Sequence, residues 1–159
     1  MSALQDTPGF KWDEGFSVGH GDMDETHHEF VDCVDALLRA SDSQQRAALD
    51  AFAKHAQRHF HEEDEAMRHT AYGSAGCHVD EHAAVLQSLD EVRAALAVGR
   101  HAVVRDFAWA LADWFPRHAQ VMDLGLARWL NQRRLGGAPV LFQRPKPKQT
   151  QTQTMQAVE

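Results

Sequence analysis

Four stretches in which apolar residues recur every three or four positions, joined by short connections, constrain this chain to a packed set of helices. No segment of useful length alternates apolar and polar residues as a half-buried strand would, so an all-α fold is expected. The first helix starts after Gly19-His20-Gly21, with Asp22 and Glu25 at capping-box spacing. It carries Phe30, Val34, Leu37 and Leu38 on one face to about Ala40. Ser41 is placed to cap a second helix, from about Gln44 to His69, with Leu49, Phe52, Phe60 and Met67 as its apolar positions. Ala71-Tyr72-Gly73 breaks the pattern. A third helix follows from about Ser74 to Val98, with Val85, Leu86, Leu89, Val92 and Leu96 facing inward and Gly99 as a left-handed stop. The fourth runs to about Arg134. Connections this short make successive helices antiparallel, which predicts an up-down-up-down four-helix bundle. Residues 1–136 are expected to form this one domain, led by an arm over 1–20. The segment 137–159, rich in Pro, Lys, Gln and Thr, offers little to bury and is expected to be disordered, with Val140 to Phe142 as its one apolar patch.

Charge excludes several classes of partner. With 23 acidic against 16 basic residues and a net charge of -7, the chain has no cationic surface for nucleic acid or anionic lipid. No apolar run approaches the ~20 residues that span a bilayer, and MSALQDTPGFKWDEG lacks the plan of a signal peptide. A cytoplasmic protein without membrane insertion is expected. Cys33 and Cys77 are too few for a disulfide framework and are expected as small core residues.

The eleven histidines are the unusual component. At that density about 0.7 pairs four residues apart arise by chance, so neither His55/His59 nor His78/His82 means much alone. The second pair gains weight because each of the other helices also offers inward-capable ligands. Helix one has His27 within Asp24-Glu25-Thr26-His27. Helix two has His59 and Glu63, four apart and so on one face. Helix four has His118 and Asp123. The set comprises five imidazoles and two carboxylates.

In order, spacing and flanking residues these elements resemble the hemerythrin family, its bacterial members in particular. The resemblance rests on Asp24 and His27, on His59-Phe60 followed by Glu63, on His78 and His82, and on His118 followed by Asp123. Trp12, Val18-Gly19, Met67, Tyr72 and Trp114 resemble the family as well, so that the likeness extends from about Trp12 to Leu130. By this resemblance Glu63 and Asp123 bridge two iron ions (Fe2+/Fe3+), together with an oxo or hydroxo group. His78, His82 and His118 complete one iron; His27 and His59 serve the other. The first then has six donors and the second five, which leaves one position for dioxygen. The resemblance implies reversible dioxygen binding by a carrier, store or delivery protein that is not an enzyme, with an oxygen-consuming protein as recipient. An oxygen or redox sensor, or a di-iron enzyme consuming peroxide or nitric oxide, would use the same ligands. Zinc in their place would give a colourless, redox-silent protein.

Phe30, Phe60, Trp114 and Phe115 lie one to four residues from a ligand and are expected to wall the open position. At Ala119 the family usually carries a bulkier aliphatic, so the smaller side chain is expected to open the pocket to solvent or ligand. Pro116 should kink the fourth helix. His118 and Asp123, five apart, would diverge by about 140° on a regular helix, so a locally widened turn is expected between them. His20, His28, His55, His61, His69 and His101 are expected on exposed faces or loops, as are Glu62 and Glu65, either of which could support a ligand from outside.

Overall fold

The computed structural model describes residues 8–134. Helix α1 spans Gly21–Arg39, α2 Gln45–His69 and α3 Ala75–Ala97. The fourth rod has three parts: α4 over Ala102–His118, a π-helical turn over Ala119–Asp123, and α5 over Leu124–Arg134. Successive rods pack together and α1 closes against α4, which makes the up-down-up-down bundle. Among the described residues there is no strand, and no helix is long and apolar enough to cross a membrane. The segment 137–159, with Val140 to Phe142, lies outside the described residues.

The apolar faces meet in one main core. Phe30, Val34, Leu37 and Leu38 of α1 pack with Leu49, Phe52 and Phe60 of α2, with Val85 and Leu89 of α3, and with Val104, Phe107, Leu111 and Phe115 of α4. Helix α3 is the least immersed: Leu86, Val92 and Leu96 are only partly buried. A smaller cluster of Val18, Met23, Met67, Leu126 and Ala127 closes the end of the bundle where α5 meets the arm.

Helix ends explain the connections. Gly99 takes φ +83°, and the N–H groups of Gly99 and Arg100 reach the carbonyls of Leu96 and Ala95, the Schellman pattern expected there. Helix α2 ends in the same pattern, yet the left-handed residue is Ala71 at φ 53° rather than a glycine, a strain of about 1 kcal/mol. Ser41 does start the second helix through its backbone: its carbonyl accepts from Gln44 and Gln45, and its N–H donates to the Gln44 side chain at 3.0 Å. The capping box expected at Asp22 and Glu25 is not formed. Helix α1 begins earlier, at Gly21, and is capped by His20, whose Nδ1 accepts from the Met23 N–H at 3.4 Å. Asp24 instead turns back to the arm, accepting from Val18 N–H at 2.7 Å and from the Ser17 hydroxyl at 2.9 Å.

The arm is thereby fixed across the bundle. Phe10 N–H donates to Asp35 at 3.0 Å, and the rings of Phe10 and Phe16 meet Phe115 edge-on. The cysteines depart from expectation. Cys33 is half-buried and Cys77 exposed, because the inward stripe of α3 runs through His78, His82, Val85 and Leu89 and leaves position 77 outside.

Candidate metal centre

His27, His59, Glu63, His78, His82, His118 and Asp123 all lie in the interior, at one level of the bundle. Two features of the backbone bring them together. In α2 and α3, spacing of four residues places His59 with Glu63, and His78 with His82, one turn apart on an inward face. On the fourth rod the π turn does the equivalent work. Leu124 N–H bonds to the carbonyl of Ala119, five residues back, so His118 and Asp123 come onto one face with Nε2 and Oδ1 3.1 Å apart. The widened turn expected from the five-residue spacing is therefore present, and the helix continues past Pro116 to reach it.

The carboxylates sit between two groups of imidazoles and divide their oxygens. Glu63 Oε1 is 2.9 Å from His59 Nε2 and 3.7 Å from His27 Nε2, while Oε2 is 3.4 Å from His78 Nε2 and 3.3 Å from His82 Nε2. Asp123 Oδ2 is 3.0 Å from His27 Nε2, while Oδ1 is 2.9 Å from His78 Nε2 and 3.1 Å from His118 Nε2. Each carboxylate thus presents one oxygen to a half made by His27 and His59 and the other to a half made by His78, His82 and His118. The donor atoms of each half are close enough to share one ion.

Hydrogen bonding alone does not account for this convergence. Nε2 of His27, His78, His82 and His118, Oε2 of Glu63 and both oxygens of Asp123 are buried without a hydrogen-bond partner. Two of the imidazoles have their protons committed outward. His118 Nδ1 lies 2.6 Å from Glu81 Oε2, and His82 Nδ1 lies 2.8 Å from Asp64 Oδ1. A carboxylate can only accept, so Nδ1–H donates in both, and the Nε2 lone pairs point at carboxylate oxygens about 3 Å away. Lone pairs so arranged repel unless a cation lies among them. Five imidazoles and two carboxylates, buried and mutually facing, fit a pair of transition-metal ions.

The surroundings of these groups express the same need for positive charge. Burial alone would push His27 and His78 down, but the carboxylates of Asp123 and Glu63 outweigh it and raise both to about 9. Conversely, burial favours the neutral carboxyl at Glu63 and Asp123, and the surrounding imidazoles overcome it, holding both well below the usual range. The metal-free protein is therefore expected to carry protons at His27 and His78 at neutral pH. Their folded values lie above the unfolded 6.5, so the stability they contribute is full below pH 6.5 and lost as pH rises through about 9. Metal must displace these protons, so its affinity rises over that same window by up to ~10-fold per proton per pH unit. Melting curves of metal-free and metal-loaded protein from pH 6 to 9.5 test this, on the order of one pH unit per step. An alkaline loss of stability should appear without metal and vanish with it; identical curves would refute the assignment.

The aromatic residues divide between the halves. Phe30 stacks on Phe115 at 4.7 Å, and the two meet the rings of His59 and His27, at 6.1 and 5.3 Å respectively. Phe60 lies parallel to His82 at 4.1 Å, and half-buried Trp114 stacks on His118 at 4.3 Å. Phe30 and Phe115 therefore border the half with two imidazoles and Trp114 backs the half with three, while Phe60 reaches both, since it also lies 5.1 Å from the His59 ring. Ala119 has no exposed surface.

His55 corrects the expectation that the remaining histidines face outward. It lies one turn before His59 on the inward face of α2 and is buried, with Nδ1 3.3 Å from Glu29 Oε2. Burial and the adjacent His59 lower it to about 4, which keeps it neutral at physiological pH. His28, His61 and His69 are exposed, and His20 and His101 are half-buried at helix starts. Glu62 is exposed and Glu65 pairs with Arg68, so neither supports a ligand. Asp64 and Glu81 do, and sequence reasoning missed both. Each adjoins a residue of the cluster in the chain, at Glu63 and His82, but hydrogen-bonds a cluster imidazole on another helix.

The family model described as "Hemerythrin HHE cation binding domain" matches residues 18–130. The chain belongs to the hemerythrin family. A bacteriohemerythrin of Ralstonia nicotianae (strain ATCC BAA-1114 / GMI1000) is 36% identical over 126 residues, covering 79% of this chain and 92% of that one. Hemerythrins are di-iron oxygen-binding proteins, and the buried His/Glu/Asp cluster is a metal site compatible with such a centre.

Proposed function

We propose that this hemerythrin binds dioxygen reversibly at a di-iron centre held by His27, His59, Glu63, His78, His82, His118 and Asp123, and serves as an oxygen carrier, store or delivery protein. The observation that supports this most directly is the inequality of the halves. One has three imidazoles and the other two, with the same two carboxylates shared between them. A pair of iron ions with an oxo or hydroxo group, held by these residues, would supply reversible electron transfer to dioxygen.

The chain's own residues do the rest. Glu63 and Asp123 tie the halves together through their paired oxygens. Phe30 and Phe115, both wholly buried, exclude water beside His27 and His59, and Phe16 and Phe10 cover Phe115 from the arm. His55, the nearest imidazole outside the cluster, is held neutral and supplies no acidic proton there at pH 7. Apolar rings beside His27 and His59, with His55 neutral, favour release of oxygen over its reduction, which is why a carrier is preferred to an enzyme. A cytoplasmic location and an oxygen-consuming recipient protein belong to the same proposal.

The test is the visible spectrum of iron-loaded protein, reduced without air, exposed to oxygen and then degassed. An absorption band that appears with oxygen and disappears on degassing is the expected result. A band that never forms, or that gives way to an oxidised spectrum which degassing cannot reverse, would point to sensing or to peroxide or nitric-oxide chemistry.

A further inference from the structure

The outer face of the cluster is as unequal as the inner. His118 Nδ1 donates to Glu81 Oε2 at 2.6 Å, and the same oxygen accepts from Trp114 Nε1 at 3.2 Å. The Trp114 ring lies over the His118 imidazole at 4.3 Å and 28°. One carboxylate oxygen thus restrains the imidazole about its Cβ–Cγ bond and holds the ring stacked above it. His82 is held in the same manner, by Asp64 at 2.8 Å and by Phe60 stacked at 4.1 Å and 8°. The outer nitrogens of His27 and His59 are buried with no hydrogen-bond partner.

We propose that Glu81, with Asp64 in the same role, is a positioning residue that makes the half built from His78, His82 and His118 the tighter of the two metal positions. A carboxylate that accepts from Nδ1–H fixes the tautomer with its lone pair on Nε2 and pushes electron density toward that nitrogen, which strengthens it as a donor. Two of three imidazoles gain this in one half and neither of two in the other. The carboxylates remain about a third exposed, at 38% for Glu81 and 34% for Asp64, so they escape the cost of full burial. Neither position was marked by its spacing, because the partners are 37 and 18 residues away on other helices. The inference rests on reading the cluster as a two-metal centre and does not require that oxygen bind.

Anaerobic titration of the metal-free protein with Co2+, followed by visible absorption, tests it. The wild type should show two steps of unequal affinity. Glu81→Gln and Asp64→Asn keep side-chain volume and remove only charge; each should weaken the tighter step about 10- to 100-fold and leave the weaker step unchanged. His59→Ala should do the reverse. Helical content of the metal-free variants should match the wild type, and nitrogen-15 spectra should show the His118 proton no longer confined to Nδ1 in Glu81→Gln. An unchanged tighter step in both charge-removing variants, an equal loss in both steps, or loss of the tighter step in His59→Ala would overturn the proposal. Failure of the iron-loaded wild type to take up oxygen would count against the proposed function alone, since the Co2+ constants do not depend on it.

Discussion

Glu63→Ala is expected to empty both halves of the cluster. Glu63, like Asp123, presents an oxygen to each candidate ion position, with Oε1 toward His59 and Oε2 toward His78 and His82. Its loss removes a donor from each ion and half of the negative charge that offsets two dications. Affinity should fall by well over the ~100-fold typical of an outer hydrogen-bonding partner. The variant has a second consequence. In the metal-free chain the carboxylate is, after Asp123 at 3.0 Å, the second counter-charge of His27, which is buried completely, so its removal also destabilises the fold. Glu63→Gln separates the effects, since it keeps the volume and one acceptor oxygen. Metal content after reconstitution, read beside circular dichroism, is the measurement, with exposed Glu62→Gln as control. Two tightly held ions in Glu63→Gln would remove Glu63 from the centre.

Phe30→Ala should be the most destabilising single truncation beside His27 and His59. Phe30 has no exposed surface, stacks on Phe115 at 4.7 Å and meets Phe52 at 5.6 Å. Phenylalanine truncation in such surroundings costs about 3–5 kcal/mol, against a total stability of about 5–15 kcal/mol. That corresponds to a fall of about 10 °C or more in melting temperature for a domain of this size. The cavity would lie beside His59, so the oxygenated form should also decay faster as water enters. Urea unfolding of metal-loaded protein measures the first effect and stopped-flow absorption the second. A loss under about 1 kcal/mol would show that the ring does not bear on the core as its burial indicates.

Much of this could be read from the chain because its information was local. Apolar spacing located all four rods, and Gly99 behaved as the left-handed stop that only glycine adopts without strain. The same local logic misplaced what depends on helix phase. Asp22 and Glu25 had capping-box spacing, but α1 starts at Gly21, so the cap is His20, and Asp24 reaches to the arm instead. At the end of α2, Ala71 takes the positive φ although Gly73 stands two residues on, because the hydrogen bonds of the last turn decide where the chain reverses.

The inventory of chemistry was likewise written in the sequence, and its arrangement was not. Spacing of four picks out His59 with Glu63 and His78 with His82, the family resemblance supplies the full set of seven donors, and the five-residue gap from His118 to Asp123 already implied a widened turn, since a regular helix would have separated them. Which oxygen faces which imidazole, which aromatic backs which half, and which acids buttress the ligands depend on how four rods pack side by side. Asp64 and Glu81 show this most clearly: each sits next to a ligand in the chain and supports a ligand on a different helix, while Glu62 and Glu65, as close in sequence, face solvent or Arg68. Helical periodicity sets the direction of a side chain relative to its own axis. Only the rotation and height of each rod against its neighbours, set by packing of the shared core, determine what that side chain meets.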